Sequence, residues 1–162
     1  MIDQNNPTKI RVAAVQLAVT GDVSANLDTC CRMIDQAAEH KPDIIVLPEF
    51  CNHLAWYQDR DHSYEVAVDL DGDFVKTIGQ KAAEHKCSIM LNCTVRRPNQ
   101  RVTGTNILLG PDGAIAGTSD KQVLMGNENN FLDKAAQNAT ILSMPWGNTG
   151  MYSCMDGDRK ST

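Results

Sequence analysis

The chain has 162 residues, 42% of them hydrophobic, which is enough for one domain with a real core. Its 20 acids outnumber its 15 lysines and arginines to give a net charge of -5 without a basic cluster, so neither nucleic acid nor an anionic membrane is expected as a partner. No apolar run approaches a membrane span, and residues 1–8 read as a polar tail rather than a signal peptide, which makes the cytoplasm the expected location.

Residues 9–18 are rich in small and branched apolar side chains with little alternation, the pattern of a strand covered on both faces inside a sheet. After the turn at Gly21 and Asp22, Ser24 is the expected N-cap of a helix. In it Leu27, Cys30, Cys31, Ile34, Ala37 and Ala38 recur at helical spacing up to His40. Lys41 and Pro42 end that helix and residues 43–47 form the next buried strand, so the three elements make a βαβ unit with parallel strands. From residue 50 to 73 the pattern fades into a long connection of the kind that grips substrates. Asp69, Asp71 and Asp73 imitate the start of a calcium loop, but Phe74 and Gln80 stand where Gly and Glu are required. The acids are therefore assigned to capping a helix in which Phe74, Ile78, Ala82 and Ala83 share one face, ending at residue 85 or 86.

Residues 87–95 and 102–109 are the third and fourth strands, separated by a polar turn with Pro98. Gly110-Pro111-Asp112-Gly113 is a hairpin signal and 114–118 the returning strand, which makes the sheet mixed. Residues 141–144 read as a short buried strand and 145–150 as a breaker-rich turn, leading into another short strand that ends at Cys154. The six cysteines read as reduced thiols, since Cys30 and Cys31 are adjacent on a helix and Cys51, Cys87 and Cys93 lie in or beside apolar segments. No Cys/His set has zinc-site spacing, and His40, His53, His62 and His85 are scattered, so no metal is expected. Asn92-Cys-Thr94 and Asn138-Ala-Thr140 match the glycosylation pattern formally and, without a secretory signal, read as chance matches.

Three groups stand out by their position. A cysteine at a strand end projects from the rim of a sheet, with the N–H of Met155 free to face a developing oxyanion. Glu49 closes the strand 43–47, and Lys121 and Glu128 come after the returning strand. Singly, these read as a small hydrophobe, solvated carboxylates and a solubilising cation. Jointly they supply what amide or nitrile hydrolysis needs. A neighbouring ammonium lowers a thiol pKa, and a carboxylate beside the thiol takes its proton, passes it to the leaving amine and later activates water. The ammonium and the Met155 N–H hold the oxyanion, a contribution of roughly 3 to 4 kcal/mol per donor. No metal or organic cofactor is required.

Read in order, Asp43-Ile-Ile-Val-Leu47-Pro48-Glu49, the segment from Ser119 through Lys121 and Glu128 to Phe131, and Gly150-Met-Tyr-Ser-Cys154-Met-Asp156-Gly157 resemble the Glu, Lys and Cys motifs of the nitrilase superfamily. Val12-Ala-Ala-Val15-Gln16 and Asn106 through Gly113 are similar to these carbon-nitrogen hydrolases too. The resemblance implies an α/β fold, the α-β-β-α sandwich of two sheets. It also implies Cys154 as nucleophile through a covalent thioester, Glu49 as general base, Lys121 as transition-state stabiliser, and Glu128 supporting the lysine and positioning substrate. The implied substrate is a small amide or carbamoyl compound, with amidase or carbamoylase activity favoured over nitrilase activity, and the implied state is a homo-oligomer. Val123 stands where the family usually has His, and Ser153 and Met155 replace Ile and Tyr or Trp. Asp156 and Arg159 fit the pattern, while Lys160-Ser-Thr162 does not continue it. These departures bear on the shape of the pocket.

The family domain normally runs on after the nucleophile, whereas this sequence ends eight residues past Cys154. Residues 9–162 are therefore read as the N-terminal part of such a domain, with weak or no turnover on its own and exposed sheet faces that favour self-association or a complementary C-terminal fragment. The competing reading is a catalytically silent fragment or binding module of the same fold. A papain-like hydrolase fits poorly, because every histidine precedes Cys154.

Overall fold

In the computed structural model of the chain, which describes residues 9–158, the apolar runs become five strands of one sheet. These are β1 (Val12–Ala14), β2 (Ile44–Val46), β3 (Ser88–Arg97), β4 (Arg101–Leu109) and β5 (Ile115–Asp120), hydrogen-bonded in that order. β1, β2 and β3 run parallel because helices α1 (Val23–Ala38) and α3 (Asp73–His85) carry the chain back between them. β3, β4 and β5 are joined by turns alone and run antiparallel. At the first of these turns Asn99 and Gln100 both take left-handed φ, as a tight hairpin requires. The mixed α/β sheet expected from the sequence is thus the one observed. The polar tail, Arg159 and residues 160–162 lie outside the described residues.

Strand alternation assigns each side chain to a face. Ile45, Ile89, Leu91 and Ile107 meet Cys30 and Ile34 of α1 and Val75 and Ile78 of α3 in the main core. Ile44, Val46, Met90 and Leu108 turn to the other face. There they are covered by Leu142, Met144 and Trp146 of a separate hairpin, β6 (Leu142–Met144) and β7 (Gly147–Thr149), and by Met151. The layers are therefore helices, main sheet, and a small second sheet. No described helix is long and apolar enough to cross a membrane.

Several expectations are corrected. The first strand is the edge of the sheet, not its interior: it pairs with β2 alone, and Val12 is 53% exposed. Asp22, not Ser24, caps α1, because its carboxylate reaches the N–H groups of both Ser24 and Ala25, at 2.9 and 3.1 Å. Residues 141–144 are not buried in the main sheet. The breaker-rich turn folds β6 directly back on β7, and Ile141 is left 70% exposed. The long connection contains a short helix, α2 (Arg60–Val66), capped by the Asp59 side chain. Asp69 does not cap α3 either; it pairs with Arg96 at 2.9 Å, while Gly72 occupies the cap position and only Asp73 lies in the first turn.

The helix layer is fastened to the β4–β5 hairpin by two glycines. A Cβ on Gly79 of α3 would lie 2.6 Å from the Gly113 carbonyl oxygen, and Gly113 itself has φ +82. Helix propensity favours Ala over Gly by about 1 kcal/mol, but here the new atom meets backbone and not a yielding side chain. Gly79→Ala is accordingly expected to destabilise the protein by about 1 to 3 kcal/mol, the usual cost of overpacking, read as a lower urea midpoint. A gain in stability would show that α3 stands off from the hairpin.

Candidate active site

β5 ends at Asp120, whose carboxylate takes hydrogen bonds from Arg97 and from Thr105 on one face of the sheet. The next residue, Lys121, turns to the opposite face while its N–H still extends the ladder to the Gly104 carbonyl at 2.7 Å. Gly104 leaves the room this requires. A Cβ there would lie 2.9 Å from the Phe50 ring and 3.6 Å from the Lys121 Cβ, so ring and lysine stem pack where a larger residue would stand. The lysine side chain is fully buried. Its Nζ donates to Glu49 Oε1 and to Glu128 Oε1, each at 2.8 Å, and lies over the Phe50 ring, 5.2 Å from its centroid. Burial alone would push the ammonium's pKa down, but the hydrogen bonds and charges of Glu128 and Glu49 outweigh it and hold it above the ordinary lysine value of about 10.5.

Glu49 comes after Pro48 just past β2, and the chain then turns through Phe50 at φ +52. That turn is held from β3: the Phe50 N–H donates to Asn92 Oδ1 at 2.9 Å and the Cys51 N–H to the Asn92 carbonyl at 2.9 Å. Glu128 opens a one-turn helix, α4 (Glu128–Phe131), and divides its carboxylate between two tasks. Oε1 receives Lys121, and Oε2 receives the Met125 N–H at 2.8 Å. Beside the trio, Phe50 joins Tyr57, Leu124 and Leu132 in a small apolar cluster, so the long connection supplies a wall rather than a loose loop. Among the described residues the buried Tyr57 hydroxyl has no hydrogen-bond partner, and burial pushes its pKa up to about 12.

Cys154 is exposed and does not end a strand, as β7 stops at Thr149. It opens a 3-10 turn, Cys154–Asp158, with φ +51, a sharp left-handed bend of the kind that presents a side chain outward. The first bond of the turn runs from Asp156 N–H to the Ser153 carbonyl, so the Met155 N–H precedes the hydrogen-bonded ladder. Both flanks are tied down. Asp156 Oδ1 accepts the N–H groups of Gln122 and Val123 at 2.9 and 2.8 Å, immediately after Lys121. On the other side Asn92 Nδ2 donates to Ser153 Oγ at 3.4 Å. Glu49, Lys121 and Glu128 are thus in direct contact, and Cys154 is joined to them through its neighbours. Sequence reading missed Asn92, Phe50 and the tether made by Asp156; the aspartate two residues past the cysteine fits the family pattern, but its partners were invisible.

The remaining thiols differ in setting. Cys30, Cys51, Cys87 and Cys93 are buried, with Cys51 and Cys93 sulfurs 3.7 Å apart. A hydrogen bond with Cys51, then burial, raises Cys30, and burial raises Cys31 and Cys87. Asp35, Glu84 and His85 cluster on the helix layer, but the Lys81 ammonium already sits against Asp35 and Glu84 at 2.9 and 3.1 Å, occupying the place a cation would take. A surface concavity of about 610 Å³, lined by residues including Arg60, Tyr64, Gln100 and Arg101, does not touch the trio.

The raised Lys121 value has a measurable consequence. The folded state holds that proton more tightly than the unfolded chain, so its stabilisation is complete below about pH 10.5 and is lost as pH rises through the higher folded value. Lys121→Met should lower stability near pH 7 by about 3 kcal/mol, the low end for stripping a buried pair because both carboxylates retain some water, and should flatten the loss above pH 10.5 seen in the parent. Parallel pH curves for the two proteins would contradict this.

Comparison with known proteins agrees with the sequence resemblance. Residues 11–158 match the family model described as carbon-nitrogen hydrolase. The arylacetonitrilase of Aspergillus niger is 24% identical over 161 residues, covering 92% of this chain and 48% of that protein. The chloroplastic omega-amidase of Arabidopsis thaliana is 23% identical over 160 residues, covering 92% of this chain and 43% of that protein. The chain therefore spans about half the length of these relatives or less. A crystal structure of a carbon-nitrogen hydrolase from Helicobacter pylori G27 superimposes with a TM-score of 0.81 at 16% identity, over 91% of this chain and 52% of that one. With the family model matched over nearly all the described residues, the chain belongs to the carbon-nitrogen hydrolase family.

Proposed function

We propose that the chain carries the catalytic centre of a hydrolase acting on non-peptide carbon-nitrogen bonds in small amide or carbamoyl substrates. The observation that carries this reading is the buried Lys121 ammonium, clamped at 2.8 Å by both Glu49 and Glu128, with the Cys154 turn tied to the backbone beside both Lys121 and Glu49. In this reading the Cys154 thiol gives its proton to Glu49 as the sulfur attacks the carbonyl carbon. The oxygen that becomes anionic is held by the Lys121 ammonium and the Met155 N–H. The carbon-nitrogen bond then breaks, the amine leaves with the proton from Glu49, and a thioester remains on Cys154. Glu49 next takes a proton from water as its oxygen attacks the thioester carbon, and the carbon-sulfur bond breaks as that proton passes to the departing sulfur, which releases the acid and restores the thiol and the Glu49 carboxylate. Glu128 keeps the lysine charged and aimed, and no step calls on a metal or an organic cofactor. Relatives named for omega-amidase and arylacetonitrilase activity support this class of bond. Amides are favoured over nitriles because nothing in the sequence marks a nitrile pocket.

Iodoacetamide labelling and peptide mapping test the assignment. Cys154, the one exposed cysteine, should be the first of the six thiols alkylated near neutral pH, and Lys121→Ala should slow its alkylation several-fold in protein that remains folded. Preferential labelling of Cys51 or Cys93 would overturn the assignment.

A further inference from the structure

One buried amide reaches both halves of the site. Asn92 lies on β3 between Leu91 and Cys93, and it is 2% exposed. Two residues back along the same face Met90 pairs across the ladder with Leu108, whereas Asn92 pairs with Asn106, so the face turns from apolar to polar at this point. A buried amide is costly unless its hydrogen bonds are made. Asn92 makes them in three directions. Oδ1 accepts the Phe50 N–H at 2.9 Å, while Nδ2 donates to Asn106 Oδ1 at 2.9 Å and to Ser153 Oγ at 3.4 Å. The donor on Phe50 fixes which end of the amide is oxygen. Phe50, directly after Glu49, and Cys154, directly after Ser153, are both held at left-handed φ, of 52 and 51. Such bends persist in residues other than glycine only where the surroundings over-determine them. The Asn92 backbone adds a fourth hold, its carbonyl accepting the Cys51 N–H at 2.9 Å.

We propose that Asn92 is a positioning residue for the reaction assigned above: its side-chain amide fixes the spacing between the backbone that carries Glu49 and the backbone that carries Cys154. The inference rests on that functional reading, because a spacing matters to chemistry only if the two groups exchange a proton. The Asn106 bond locks the amide's plane, so the bends beside the base and beside the nucleophile move as one body. The contact to Ser153 is the longest of the three, which makes the cysteine side the softer arm. It also explains the polar residue before the nucleophile: an apolar side chain at 153 would leave this arm without an acceptor. Asn92 occupies a formal glycosylation pattern, and its burial in β3 closes that use in the folded protein.

The test measures the second-order rate of Cys154 alkylation from pH 5 to 9 in the full 162-residue chain, for the parent, Ser153→Ala and Asn92→Leu, with circular dichroism to confirm that each is folded. Ser153→Ala, which removes only the softer arm, should slow Cys154 about threefold at pH 7. Asn92→Leu, which releases both bends, should slow it about tenfold across the profile. A residue that merely stabilised the sheet would lower the melting temperature and leave the profile of the folded protein in place. Superimposable profiles, with Cys154 still the first thiol labelled in the parent, would overturn the proposal. Should Asn92→Leu not fold, the Ser153→Ala profile decides alone. A parent in which Cys154 is not labelled first would instead overturn the functional reading on which the proposal rests.

Discussion

A fully buried ammonium sets the terms for this structure. Removing a charge from water costs several kcal/mol even after relaxation, and only close, well-directed partners offset it. Lys121 therefore requires two carboxylates at 2.8 Å and an aromatic face, and each requirement reaches into a different part of the chain. Glu49 arrives from the end of β2, Glu128 from the start of α4, and Phe50 from the bend after Glu49. Gly104 on β4 gives the space in which lysine and ring meet. Lose Glu49, Glu128 or Phe50 and the ammonium is left short of partners, so this one side chain ties together the segments that follow β2 and β5 and the start of α4.

The cysteine is placed by a different set of contacts. It makes its bend in a short 3-10 turn near the rim, where no ladder of strand hydrogen bonds can hold it. Two side chains replace the ladder. Asp156 grips the two amides after Lys121, and Asn92 reaches Ser153 while holding Phe50. The spacing of the groups proposed to react thus depends on bonds one residue removed from them. Under that proposal the indirect ties matter, because a displacement of about 1 Å in a catalytic centre costs on the order of a hundredfold in rate.

Much of this was legible in the sequence because the relevant signals are local. The βαβ unit, the mixed sheet and the hairpin at Gly110–Gly113 come from periodicity and breakers, which depend on neighbours along the chain. What could not be read is long-range. The exposed edge position of β1 depends on which strand closes the sheet, not on its own apolar composition. The short β6–β7 hairpin looked like core because Ile141 and Leu142 are apolar, yet it packs only one side on the sheet. Ser24 and Asp22 are both good caps, and only the geometry of the helix start chooses between them. Asn92 carried no signal beyond a chance glycosylation match, since its partners lie 42, 14 and 61 residues away. Glu49, Lys121, Glu128 and Cys154 stand out through ordered motifs, and the first three meet directly while the fourth is exposed in a turn whose neighbours Asp156 and Ser153 are tied to Gln122, Val123 and Asn92.

The central claim is that Cys154 is a nucleophile served by Glu49 and Lys121, and acyl transfer tests it without requiring the natural substrate. Intact mass and peptide mapping after brief exposure to p-nitrophenyl acetate would show where the acetyl group goes as p-nitrophenolate departs. The account expects one acetyl group, on Cys154, formed several-fold more slowly in Glu49→Gln and lost again as water cleaves the thioester. Acetylation spread over surface lysines with Cys154 unmodified, or a Cys154 adduct whose formation is indifferent to Glu49→Gln, would contradict it.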